Sequence, residues 1–144
     1  MSNHDNKVTV IMESRSINES FARTTVSGFL LPLDPTVDEF TDIKTAVSEA
    51  VTNAIIHGYG LSPGEIRMTM TSEERKITIE ISDNGIGIEN IPAAREPLYT
   101  TKPELERSGL GFTVMENYMD EVTIHSEPDK GTTIVMTKTL ARKE

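Results

Sequence analysis

The chain has 144 residues, with 14 Lys and Arg against 23 Asp and Glu, and a formal charge of -9 at neutral pH. That balance repels phosphate backbones and anionic lipid, which argues against direct nucleic-acid or membrane binding and would steer a basic partner surface inward, although acidity also serves solubility alone. Cysteine is absent, so disulfides, thiolate metal sites and a cysteine nucleophile are excluded, as fits a reducing cytoplasm.

The amino-terminal "MSNHDNKVTV" is polar, and no apolar run is long enough for a signal peptide or a membrane span, so a soluble, cytoplasmic protein is expected. "KVTVIME" alternates Val8, Val10 and Met12 on one face, which predicts a first strand at a sheet edge or paired with another chain. "SINESFARTTVSGFLLPLDP" opens with a capping box, Ser16 with Glu19, and predicts a first helix stopping at Pro32. "TVDEFTDIKTAVSEAVTNAIIHGY" opens with another, Thr36 with Glu39. Its apolar face of Val37, Phe40, Ile43, Val47, Ala50, Val51 and Ala54 predicts a second helix ending near Gly58.

"EIRMTMTS" and "KITIEIS" alternate around a charged turn from Glu73 to Arg75, which predicts a hairpin with Ile66, Met68, Met70, Ile77, Ile79 and Ile81 inward. Residues 83–110 break every periodicity and carry Pro92, Pro97 and Pro103, as long functional loops do. "GFTVMENYMD" reads as a short helix from Gly111, and "EVTIHSE" and "TTIVMTKTL" as two strands around "PDKG". Neither repeats nor linkers interrupt the chain, so one domain over residues 1–144 is expected. The order β-α-α-β-β-loop-α-β-β predicts an α/β (α+β) two-layer sandwich, with helices on one face of a mixed, mostly antiparallel sheet.

On the second helix, about 100° per residue sets Glu49, Asn53 and His57 on one stripe, away from the apolar face. An asparagine oxygen suits Mg²⁺ completed by waters and substrate phosphates, and a carboxylate one turn away can take or orient a hydroxyl proton. A solvated polar face is the alternative, and His57 at the helix end can simply cap carbonyls.

"ISDNGIGIE" poses a similar choice. Asn84-Gly85 is a strong hairpin-turn signal, but a second glycine at Gly87 and then Pro92 stand where a strand would continue. As a site, Asp83 would accept from an exocyclic amine while Gly85 and Gly87 let a flat base approach the backbone. The dinucleotide fingerprint does not fit, because its third glycine and following helix are missing. In "ERSGLGFTVMENY", Gly109 and Gly111 precede a helix whose free amides favour phosphate, with Lys102 and Arg107 as candidate phosphate contacts; a plain loop-to-helix junction is the alternative. Thr132 and Thr133 open the last strand, where threonine is common without any special role.

Together, "EAVTNAIIHG", "DNGIG", "SGLGF" and "GTT" resemble the Bergerat-type ATP-binding fold shared by DNA gyrase, Hsp90 chaperones, histidine kinases and MutL proteins. This resemblance implies ATP and Mg²⁺ as cofactors. Asn53 would be the metal ligand, Asp83 the adenine reader, Gly85 and Gly87 the base floor, and Gly109 and Gly111 the phosphate cradle. His57, Thr101, Lys102, Ser108, Leu110, Thr132 and Thr133 would complete the nucleotide contacts. With no room for a transducer or phosphoacceptor segment, the domain is expected to stand alone. "NESFAR", "LDPTVDE", "IKTAVSEAVTNAIIHGY" and "PLYTTKPELERSGLGFTVMENYMDEV" are similar to the sporulation members of the bacterial anti-sigma switch kinases, the anti-sigma F factors. "GLSPGEIRMTMTSEERK" and both termini depart from that pattern.

That likeness implies a homodimeric protein serine/threonine kinase that sequesters the sigma F factor of RNA polymerase and phosphorylates a serine of an anti-anti-sigma partner. Glu49 would be its catalytic base and Arg107 a γ-phosphate contact. A general-stress anti-sigma kinase and a nucleotide-gated sequestering module without kinase activity are the alternatives. The first strand and first helix, with Ile17, Phe21, Gly28 and Leu31 beside Arg23, are expected to supply dimer or partner contacts, unless their apolar positions simply pack on the sheet.

Overall fold

The structure, a computed structural model, describes residues 4–58, 64–85 and 111–142. In chain order it contains β1 (Asn6–Glu13), α1 (Ile17–Leu30), a 3₁₀ turn (Leu31–Leu33), α2 (Val37–Asn53), a π-helical turn (Ala54–Gly58), β2 (Glu65–Glu73), β3 (Lys76–Asp83), α3 (Gly111–Tyr118), β4 (Glu121–Glu127) and β5 (Gly131–Thr139). The strands form one sheet in the order β1-β2-β3-β5-β4. All four pairings are antiparallel, so the mixed sheet expected from sequence is replaced by a uniform one among the described residues.

The alternation in β2 and β3 delivers Ile66, Met68, Met70, Ile77, Ile79 and Ile81 to the helix-covered face, where all six are buried. α2 is the central helix, packed against α1 on one side and α3 on the other. Its buried stripe includes Ala46 and Ala50, small side chains that let a helix lie close to its neighbours. β1 lies at an edge as expected, with Met12 buried and Val8 open. Among the described residues no helix is long and apolar enough to cross a membrane.

Two local expectations need correction. Ser16 has helical dihedrals (φ -53°, ψ -34°) and makes no side-chain cap bond, because a residue already wound into the helix cannot turn its hydroxyl back to the first amides. The Glu19 carboxylate is engaged elsewhere: it accepts from the Ser48 hydroxyl on α2 and pairs with Arg23 at 3.0 Å. Val37, read as part of the apolar face of α2, is 82% exposed; it begins the helix, ahead of the turns that meet the core.

The second capping box forms in full. The Thr36 amide donates to the Glu39 carboxylate at 2.8 Å and the Glu39 amide to the Thr36 hydroxyl at 3.1 Å. The other Glu39 oxygen accepts from the Ala141 amide at 2.7 Å, while Arg75 ties Leu33 and Ala141 to the β2–β3 turn through their carbonyls. Burial pushes the Glu39 carboxyl up, but the Thr36 and Ala141 amides, the Thr36 hydroxyl and the Arg75 charge outweigh it and hold the group below its usual value of 4.5. A depressed carboxyl contributes stability above its unfolded value and loses it as pH falls through the folded one. Glu39→Gln should therefore be destabilising at neutral pH by under about 1 kcal/mol. The gap to the parent should close as urea titrations move below pH 4.5.

Candidate functional site

β3 and β5 pair Asp83 with Thr132 at their strand ends, and both strands also contact the π-helical turn. Both side chains point toward the helix layer, and they are 6% and 4% exposed. A carboxylate this deep needs donors, and two backbone amides supply them: Gly85 at 2.9 Å, and Thr132. Burial pushes the Asp83 carboxyl up and these amides only partly oppose it. The ionised group is thus a liability to the empty fold, a pattern found where a buried acceptor is kept for a ligand.

The approach of β5 to this carboxylate depends on Gly131. Its φ of +95° lies in the region that disfavours side chains, and an added Cβ would fall 2.1 Å from the Asp83 carbonyl oxygen. The preceding turn, with Asp129 also at positive φ (64°), brings the chain in at that angle. Ser126 on β4 completes the corner, with its hydroxyl 2.8 Å from the Thr132 hydroxyl and 3.0 Å from the Gly131 carbonyl. A groove of about 800 Å³ runs over the uncovered face of these strands, lined by the paired row Arg67, Ser82, Thr133 and His125, and meets Asp83 and Thr132 only at the strand ends.

Glu49 and Asn53 are half-buried on α2, one turn apart as expected. They are not walls of the groove. The π-helical turn Ala54–Gly58 follows Asn53 directly and packs on β3 and β5. Such widened turns recur at functional sites. This turn also corrects the expected helix, whose α-helical bonding stops at Asn53 rather than near Gly58.

Thr132 and Thr133, grouped by sequence, are divided by the alternation of β5. Thr133 faces the uncovered side of the sheet, 3.1 Å from the Ser82 hydroxyl. Gly111 is the first residue of α3, and the backbone of His57 lies in the π-helical turn. Gly87, Thr101, Lys102, Arg107, Ser108, Gly109 and Leu110 lie outside the described residues, as does the side chain of His57. Sequence reasoning missed roles for Gly131 and Ser126; only the glycine closing "PDKG" hinted at the first.

Among the described residues no group of three or more His, Cys, Asp or Glu side chains converges to hold a metal ion. The donor chemistry on α2 fits the other arrangement, in which one amide oxygen and a nearby carboxylate support a Mg²⁺ bound mainly by phosphates and water.

Residues 17–138 match the family model of the histidine kinase-like ATPase domain. A Clostridium perfringens protein described as an anti-sigma F factor is 59% identical over 135 residues, spanning 93% of this chain and 96% of the relative. The chain belongs to the anti-sigma F factor family. Another member, from Geobacillus thermodenitrificans, is 54% identical over 140 residues and 96% of both chains. The crystal structure of the RsbU and RsbW domains of Rv1364c from Mycobacterium tuberculosis superposes with a TM-score of 0.70. That match covers 96% of this chain and 33% of the longer one at 19% identity, and so speaks for the fold alone. As a member of the anti-sigma F family, the protein is an anti-sigma factor built on an ATP-binding domain. Asp83, Gly131 and Thr132 lie within the matched span.

An ATP-binding reading of this corner carries a test. Asp83→Asn removes a buried charge while keeping an oxygen for the Gly85 amide. A carboxyl raised by burial is destabilising once pH rises past its ordinary value of 3.8. The variant should melt at or above the parent at neutral pH. Its ADP affinity should fall by about 10- to 100-fold, the worth of a hydrogen bond to a charged group. Calorimetry and thermal unfolding measure the two effects separately.

Proposed function

We propose that this anti-sigma factor is an ATP-dependent serine kinase. In this reading it holds the sporulation sigma F factor away from RNA polymerase and phosphorylates a serine on an anti-anti-sigma partner. The observation that carries it is the placement of Glu49 one turn before Asn53 on the helix whose π-helical extension packs on β3 and β5, the strands that pair Asp83 with Thr132. A nucleotide anchored by its base at Asp83 would extend its phosphates toward Asn53, where Mg²⁺ supplies charge neutralisation when bound. Glu49 is the group that would accept the serine proton. Arg107, Lys102 and the glycines at 109 and 111 are proposed phosphate contacts.

The names borne by the relatives support sigma F as the target. A homodimer through β1 and α1 is supported by exposed apolar side chains there, with Ile17 76% and Phe21 52% exposed. Arg23 lies on the same helix, paired with Glu19. The protein is proposed to work in the cytoplasm as a single domain.

Incubation with γ-labelled ATP, Mg²⁺ and the serine-bearing partner should label that partner, and immobilised protein should retain sigma F in preference to a general-stress sigma factor. Nucleotide-dependent sigma binding without any labelled serine would leave a sequestering module in place of a kinase.

A further inference from the structure

Asn84 and Gly85 follow the last residue of β3, and Asn84 is exposed. Asparagine before glycine is the pair best able to close on itself, because glycine has no Cβ to hinder its nitrogen from reaching the asparagine side chain. In that step the Gly85 nitrogen bonds to the Asn84 Cγ. The Gly85 amide proton passes through solvent to the departing side-chain nitrogen, and ammonia leaves. Water then opens the succinimide ring. Breaking the bond from nitrogen to Cγ leaves aspartate, and breaking the bond from nitrogen to the main-chain carbonyl carbon leaves isoaspartate, so one water enters for each ammonia lost.

The Gly85 amide is held back from this reaction. Its one proton is donated at 2.9 Å to the buried carboxylate of Asp83. The nitrogen must shed that proton and turn toward Cγ before it can attack, so a hydrogen bond to a charged acceptor has to break first. We propose that Asn84 is a latent self-modification site and that the Asp83–Gly85 hydrogen bond holds its conversion to aspartate or isoaspartate in check. The guard acts whether or not Asp83 holds a ligand. Neither product suits this corner. Both add a carboxylate next to that of Asp83, where a like charge is disfavoured. Isoaspartate also lengthens the main chain by one carbon at a close approach of strands, since a Cβ on Gly131 would lie 2.7 Å from the Asn84 Cα.

Incubation in warm, mildly alkaline buffer followed by fragment mass mapping counts conversion at position 84 and separates the two products. Asp83→Ala removes the acceptor and should speed conversion by about 10- to 100-fold, the worth of a hydrogen bond to a charged group. Asp83→Asn keeps an oxygen for the amide, so its rate should fall between those of Asp83→Ala and the parent. Asn84→Gln, whose ring would be one atom larger, should stay unconverted at this position. Converted parent protein, separated by its extra negative charge, should melt below the unconverted form. Equal rates in the parent and a folded Asp83→Ala protein overturn the proposal. If Asp83→Ala does not fold, equal rates for the folded parent and the same chain in urea overturn it.

Discussion

Glu49→Gln is expected to lower phosphate transfer to the serine-bearing partner by about 10³-fold, within the range general bases supply, while ADP affinity changes by less than about threefold. The two effects separate because of where the side chains sit. Glu49 is on the polar stripe of α2, whereas Asp83 ends β3 in the sheet. Glutamine keeps the size and the half-buried placement of glutamate but cannot take a proton at neutral pH. Single-turnover labelling measures the first quantity and calorimetry the second. Transfer that survives the substitution would remove Glu49 from the proposed mechanism, and loss of binding would make it a nucleotide contact instead.

Gly131→Ala is expected to be strongly damaging to the fold. Two penalties act at once. A φ of +95° is unfavourable for alanine by about 1–2 kcal/mol. The added methyl would meet the Asp83 carbonyl at 2.1 Å and the Asn84 Cα at 2.7 Å, and both obstacles are backbone. Overpacking of this kind adds about 1–3 kcal/mol. A total of about 3 kcal/mol lowers the melting temperature by about 10 °C in a domain of this size. The strand ends can relieve the clash only by parting, so ADP binding should weaken as well. Gly28→Ala is the matched control: its Cβ would enter open space, and in mid-helix the change should be neutral or stabilising by up to about 1 kcal/mol. A Gly131→Ala protein with unaltered melting and unaltered ADP affinity would show that β5 does not need this approach.

Much of this layout was legible because the relevant signals are periodic. Strict alternation in "EIRMTMTS" and "KITIEIS" carries the hairpin, and the Thr36–Glu39 capping box forms bond for bond. Ser16 shows where the same signal fails. The residue types for a cap are present, but the Glu19 carboxylate is drawn into a tertiary contact with Ser48 on α2, and no local pattern encodes that competition. Asp83 could be singled out because a charge ending an apolar strand is chemically anomalous. Gly131 and Ser126 could not, since a glycine after a turn and a serine in a strand are ordinary until the register places them beside Asp83 and Thr132. The π-helical turn was hidden for a related reason: "NAIIHG" satisfies α-helical propensity, and the widening reflects packing on the sheet.

The strand order has a consequence for how the molecule comes together. β2–β3 and β4–β5 are hairpins of neighbouring strands that can form from local chain, whereas β3–β5 joins them across roughly fifty intervening residues. The Asp83–Thr132 corner lies on that seam. Its chain-closure entropy must be met before the corner exists, so the proposed nucleotide site belongs to the slow, non-local part of folding. A ligand that binds only the closed seam raises global stability in proportion to the logarithm of its concentration over its dissociation constant. With a nucleotide anchored at Asp83 as proposed, resistance of this anti-sigma factor to unfolding would be set in part by nucleotide supply.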